Sequence, residues 1–236
     1  MLTLFRGVDA VFHNPLLNPK FDITFLQPNI KALKAKCRQR GHEYPLKPGI
    51  FEMNSSDFHR IHKTLQVLQT TGYYYGGLSW RQATELLQDT AIGTFLIRES
   101  SDSSFLFSLS VNTERGPTSV RIHYINGQFR LDSEESIAGF MPIFDCVVQL
   151  VEYYVRLSKS SKGATCVWLD NTGRRDLPIC LSRPLYHSVL SLKHLCRLVV
   201  NGRLHSHTDW ISEVVLRRLG LPQTLVSYLR EYPYLH

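Results

Sequence analysis

Residues 93–101 read Gly-Thr-Phe-Leu-Ile-Arg-Glu-Ser-Ser, and the stretch from Thr94 to Ile97 is almost unbroken in its apolar character. A strand without polar alternation must be covered on both faces. The run therefore predicts a central strand with a layer above it and a layer below. Arg98 closes the run. A guanidinium left unpaired in such a place costs on the order of several kcal/mol. It needs either an internal carboxylate, with Glu99 and Asp102 nearest in sequence, or an incoming anion.

The neighbours of Arg98 favour the anion. Ser100, Ser101, Ser103 and Ser104 crowd one short turn, which supplies hydroxyls and backbone amides of the kind that form anion-binding concavities. Further along, Ser108 offers another hydroxyl and Arg121 a second guanidinium. Two arginines and a serine-rich turn suit a doubly charged phosphate, because the planar guanidinium fork bonds two phosphate oxygens at once.

The elements around this run follow from periodicity. Ser55 or Ser56 caps a predicted helix that carries Phe58, Ile61, Leu65 and Leu68 on one stripe and stops at Gly72. A second helix follows Ser79, with Ala83, Leu86 and Leu87 on one face. Phe105–Val111 alternates with period two. Ser119–Tyr124 predicts a third strand after the Gly116-Pro117 break. Asn126-Gly127 marks a hairpin into Gln128–Leu131. Phe144–Leu157 then reads as a helix with Val147, Val148, Val151 and Tyr154 inward. Helix, antiparallel strands and helix define an α+β layer arrangement.

The last fifty residues change character. Ser188 or Ser191 starts a helix closed by Asn201-Gly202. Leu192, Cys196 and Val200 recur every four residues on one face of it. A second helix from about Thr208 carries Trp210, Ile211, Val214, Val215 and Leu219, and Leu219-Gly220-Leu221-Pro222 breaks it. A third holds Leu225, Val226 and Leu229. Three short helices bury little surface alone, so this tail calls for a partner. Residues 1–54 are proline-interrupted and are expected to be irregular, with one short helix near residues 29–40 alongside a basic cluster from Lys31 to Arg40.

Composition narrows the function classes. The 236 residues are 43% hydrophobic and 20% charged, with a net charge of +7. That fits a globular chain with a core. No run approaches the roughly 18 apolar residues of a membrane helix, and the start of the chain does not read as a signal peptide. Five cysteines without a CxxC pair fit reduced thiols in the cytosol. No catalytic constellation is visible, so no cofactor and no metal are expected. Cys196 has no Cys-His-acid arrangement, and His205 and His207 lack further ligands. The aromatic residues read as core rather than a stacking platform, which argues against nucleic acid.

Phe95-Leu96-Ile97-Arg98-Glu99-Ser100 resembles the phosphotyrosine-binding signature of Src-homology-2 (SH2) domains, and the order of helix, strands and helix agrees over residues 74–186. The resemblance implies Arg98 at the floor of a phosphotyrosine pocket, Ser100 and Ser101 in its phosphate loop, and Ser108 and Arg121 along its wall. His123 is given no role. Residues 187–236 resemble a SOCS box of three helices. By that resemblance Leu192, Cys196 and Val200 form the elongin-binding face. Leu219, Leu221 and Pro222 belong to the cullin-binding stretch, where Gly220 stands in place of the usual first proline. Together the two modules are identified as a member of the suppressors of cytokine signalling. Gly93–Ser101 and Gly116–Ile122 look most like the cytokine-inducible branch. Residues 55–73 resemble the family's helical extension of the SH2 domain. Gly49–Ser55 lacks the basic-aromatic character of the segment with which some relatives enter a Janus kinase active site, so no direct kinase blockade is expected.

The resemblance implies a non-catalytic substrate receptor of a ubiquitin ligase that regulates cytokine and JAK-STAT signalling negatively in the cytoplasm. Its implied partners are elongin B, elongin C, cullin-5, and tyrosine-phosphorylated cytokine or growth-factor receptors with their associated kinases. The alternative is a competitive adaptor that occupies receptor phosphotyrosines without ubiquitination. Ile137, Ala138, Phe140 and Met141 are expected to frame an apolar groove for the residues that follow the phosphotyrosine.

Overall fold

The computed structural model describes residues 2–3, 55–133, 138–160, 167–169, 177–204, 216 and 218–236. The expected helix near residues 29–40, Ile137, His205, His207 and most of the helix expected from Thr208 lie outside the described residues. Within the segment expected to be irregular, Leu2–Thr3 is a short strand paired parallel with Val167–Leu169, which in turn pairs antiparallel with Leu177–Pro178.

Helix α1 (Ser55–Thr70) ends where Gly72 takes a positive φ of 74°, an angle open to glycine without steric cost. Helix α2 (Trp80–Gln88) begins on a capping box. The Ser79 hydroxyl accepts from the Gln82 amide, and the Gln82 side chain accepts from the Ser79 amide, which satisfies two otherwise orphaned donors. Of the face expected to be inward, Ala83 and Leu87 are buried while Leu86 is exposed, because the nine-residue helix touches the sheet along a narrow stripe.

The main sheet has five strands: β1 (Thr94–Glu99), β2 (Phe107–Thr113), β3 (Gly116–Ile125), β4 (Gln128–Leu131) and β5 (Arg183–Pro184), in the order β4-β3-β2-β1-β5. All neighbours are antiparallel except β5, which joins β1 in parallel. The β3–β4 turn has positive φ at both Asn126 (51°) and Gly127 (81°), as a tight hairpin matching strand twist requires.

Every residue of β2 is buried, although its sequence alternates. The alternation separates two covered faces rather than core from solvent. Phe95, Ile97, Phe107, Leu109, Val120 and Ile122 face one large core shared with α1 and with helix α3 (Val147–Lys159). Leu96 faces the opposite way, onto Ala83 and Leu87 of α2. Arg98, two residues beyond Leu96, therefore lies on the α2 face. Helix α3 starts three residues later than its sequence pattern suggests, because Phe144 exchanges backbone hydrogen bonds with Phe129 of β4. Val147, Val148, Val151 and Tyr154 are buried as expected.

Helix α4 (Leu192–Leu204) opens on Ser191, whose hydroxyl accepts from the His194 amide. It does not stop at Asn201-Gly202. Asn201 is fully buried, and its Nδ2 donates to the carbonyls of Tyr232 and Tyr234, both at 2.8 Å. A tertiary clamp replaces the expected cap. Leu216 and Arg218 are helical, and helix α5 (Gln223–Glu231) follows. The tail beyond α5 then folds back, so that Tyr232 and Tyr234 complete the main core. Glu152 of α3 fixes it by accepting from the backbone amides of Leu235 (2.8 Å) and His236 (3.0 Å).

Candidate functional site

Strand register builds the first site. Arg98 pairs with Ser108, and Ser108 pairs with Arg121. Directly opposed residues of antiparallel strands share a face. Three of the residues singled out in the sequence thus form one row across β1, β2 and β3, on the side covered by α2.

Arg98 is 3% exposed. Its Nε donates to the Ser110 hydroxyl at 3.2 Å, and its Nη1 donates to the Glu99 carbonyl at 2.9 Å and to the Ser101 hydroxyl at 3.2 Å. None of these partners is charged. Burial pushes the guanidinium down to about 10 from its ordinary value. The carboxylates near it in sequence are otherwise engaged. Glu99 accepts from the Tyr74 hydroxyl at 3.3 Å, and burial raises its pKa. Asp102 pairs with Arg121 at 3.2 Å. The salt bridge from Glu99 or Asp102 that would have explained Arg98 internally is not made.

The turn after β1 is folded by its own side chains. Ser100 is buried, and its hydroxyl accepts from the Asp102 amide at 3.2 Å. Asp102 Oδ1 accepts from the Ser104 amide at 2.9 Å. Ser101 stands at the Arg98 fork. The Arg121 guanidinium lies 4.8 Å over the Phe105 ring. His123 meets that ring edge-on at 4.7 Å and sits 2.6 Å from Asp132.

The site therefore holds Arg98, Ser100, Ser101, Ser108 and Arg121 close together. It also holds residues that sequence reasoning missed. Ser110, not Ser108, bonds the Arg98 Nε, and Ser110 is tied to Ser119 at 2.8 Å. Period-two counting from Ser108 would have put Ser110 on the same face. Nothing in the sequence pairs Asp102 with Arg121. Chemically, two guanidiniums, one held only by neutral groups, can receive a multiply charged oxyanion. Beyond the row, Phe140 is 89% exposed, Met141 packs against the main core, and Ala138–Phe140 forms a 3-10 turn.

The second site is α4, whose polarity is inverted. His194, Arg197 and Asn201 are buried, while Leu192 is 77% exposed and Leu195, Cys196, Val199 and Val200 also face out. Each inward polar residue has at least one internal partner, though His194 Nε2, Arg197 Nε and Asn201 Oδ1 have none among the described residues. Arg197 donates to His194 Nδ1 at 2.7 Å and to the Tyr228 carbonyl at 3.2 Å, and its guanidinium lies 4.1 Å over the Tyr228 ring. Burial, and then the neighbouring Arg197 charge, lower the His194 pKa, so the ring is kept neutral as an acceptor. Of the stretch from Leu219 to Pro222, Leu219 and Pro222 are exposed, whereas Leu221 packs against Leu216, Val226 and Leu229. Gly220 has φ 61°.

No helix among the described residues is long and apolar enough to cross a membrane. Among them, too, no cluster of three or more His, Cys, Asp or Glu could hold a metal.

Two family models divide the chain at these two sites. The SH2 domain model matches residues 73–154, and the SOCS box model matches residues 188–230. Mouse Suppressor of cytokine signaling 2 is 38% identical over 186 residues, covering 79% of this chain and 87% of the relative. Chicken Suppressor of cytokine signaling 3 is 35% identical over 187 residues, covering 76% and 86%. Bovine Cytokine-inducible SH2-containing protein is 39% identical over 192 residues, covering 74% and 72%. The chain is thus an SH2 domain joined to a SOCS box, and it belongs to the suppressor of cytokine signalling family.

Proposed function

We propose that the chain is a phosphotyrosine-binding substrate receptor of an elongin B/C–cullin-5 ubiquitin ligase that limits cytokine signalling in the cytoplasm, with no catalysis of its own. One observation carries this reading. A single chain has both a buried guanidinium whose partners among the described residues are neutral and a helix whose apolar residues face outward. The SH2 domain, residues 74–186, would take phosphotyrosine on Arg98, Ser100, Ser101, Ser108 and Arg121, from activated receptors or their kinases. The SOCS box, residues 187–236, would take elongins through Leu192, Cys196 and Val200, and cullin-5 through Leu219, Leu221 and Pro222. Calorimetry with a pooled degenerate phosphotyrosine library tests the pocket: Arg98→Ala should remove binding, and equal binding by the variant refutes the assignment. Co-purification with elongins B and C should be lost on Leu192→Asp, and persistence refutes the tail assignment.

The angle at Gly220 favours a second reading. A φ of 61° is closed to proline, whose ring fixes φ near −65°. The turn therefore does not follow the path of the family's proline-containing stretch. A competitive adaptor that binds elongins but transfers no ubiquitin fits that departure, and a reconstituted ligase assay separates the two.

A further inference from the structure

The Arg98 row does not stand empty of negative charge. Asp102 Oδ2 lies 3.2 Å from Arg121 Nη2, and the same carboxylate's Oδ1 accepts the Ser104 amide at 2.9 Å. One side chain thus does two separable things. It folds the serine-rich turn, and it neutralises the second guanidinium of the row. Arg98 differs in that its partners among the described residues are Ser110, Ser101 and a carbonyl.

We infer that Asp102 is the internal counter-ion of the pocket: it occupies Arg121 in the free protein and must be displaced before Arg121 can pair with a bound phosphate. This rests on the phosphotyrosine reading above. The asymmetry sets an order of engagement. An anion meets Arg98 first, since nothing charged has to leave, and Arg121 joins only by exchanging one anionic partner for another. Phe105 favours that exchange, because the ring 4.8 Å beneath the Arg121 guanidinium holds it over the row by a cation–π contact that does not depend on Asp102. Both side chains of the ion pair are partly exposed, so the contact is of the modest, solvent-screened kind, weak enough for a doubly charged ligand to break.

Two substitutions separate the two roles. Asp102→Asn keeps an oxygen that can accept the Ser104 amide and removes the charge. Asp102→Ala removes both. The probe is free phosphotyrosine titrated into the full chain, followed by amide chemical shifts. Asp102→Asn should tighten binding by about two- to fivefold, the range that an exposed ion pair supports. Asp102→Ala should gain less or lose affinity, through the unfolded turn. In the Arg121→Gln background the Asp102→Asn gain should vanish, because the masked partner is gone. Unchanged or weaker binding by Asp102→Asn in the presence of Arg121 overturns the proposal. So does a gain that survives in Arg121→Gln, which would make it a general charge effect. Arg98→Ala serves as the control for the pocket itself. If it binds phosphotyrosine as the unaltered chain does, the pocket reading fails. If it does not bind and Asp102→Asn brings no gain, only the counter-ion fails.

Discussion

The β1–β3 row and helix α4 are two inversions of the ordinary burial rule. In the row, a charge is sunk between an apolar sheet and α2. In α4, apolar side chains face water while His194, Arg197 and Asn201 are inside. The difference lies in how each inversion is stabilised. The polar residues inside α4 meet internal partners, namely Tyr228, Tyr232 and Tyr234, so the outward apolar face is the part left for another molecule. In the row the buried Arg98 has no charged partner among the described residues. On the proposed function, one site would be finished by a ligand entering the protein, the other by a surface laid over it.

Breaking the row should have the largest effect. Arg98→Ala is expected to weaken phosphotyrosine binding by about 3 kcal/mol or more, roughly a hundredfold, as a lost bidentate charge-assisted anchor does. A companion variant sharpens the contrast. Arg98→Met should have an unfolding free energy no more than about 1 kcal/mol below that of the unaltered chain, or above it, because a buried ion without a charged partner contributes little to stability. Marked destabilisation would mean that Arg98 is structural.

The inside of α4 should behave in the opposite way. Asn201→Ala strands two carbonyls and leaves a void, at a cost of about 2 kcal/mol, read by denaturant unfolding and by faster proteolysis of the tail from Tyr232. Glu152→Gln removes a carboxylate that receives two backbone amides, and the same measurements should report about 1 kcal/mol. Acid should act on this region as well. The folded His194 pKa lies below its usual value of 6.5, so the unfolded chain takes up the proton first as pH falls. This contribution to stability is full above about pH 6.5 and declines below it, and His194→Gln should flatten the slope. The smallest effect on stability belongs to the outer face. Leu192→Asp should change the unfolding free energy by less than about 0.5 kcal/mol while abolishing elongin binding.

The two sites were unequally legible in the sequence. Arg98 could be read because a charge ending an apolar run conflicts with its own neighbours, and the helix start at Ser79 and the Asn126-Gly127 turn could be read because helix starts and tight turns are local. Asp102 with Arg121, and Arg98 with Ser110, could not be read, since both depend on strand register and on how one turn folds. The spacing of Leu192, Cys196 and Val200 marked a helical face but not its direction. An apolar stripe ordinarily points inward, and what turned it outward is the pull of Asn201 and Arg197 on carbonyls about thirty residues away. Leu86 and Leu221 show the same limit in reverse, one turned out and one turned in by packing that no periodicity encodes.

The central claim is that one chain joins phosphotyrosine capture to elongin recruitment. The direct measurement is retention of elongins B and C on phosphotyrosine-coated beads through the full chain, with release by phenyl phosphate. Retention should be seen with the unaltered chain and lost with Arg98→Ala. With Leu192→Asp, the chain should stay on the beads while the elongins pass through. Elongins retained equally through the Arg98→Ala chain would contradict the account.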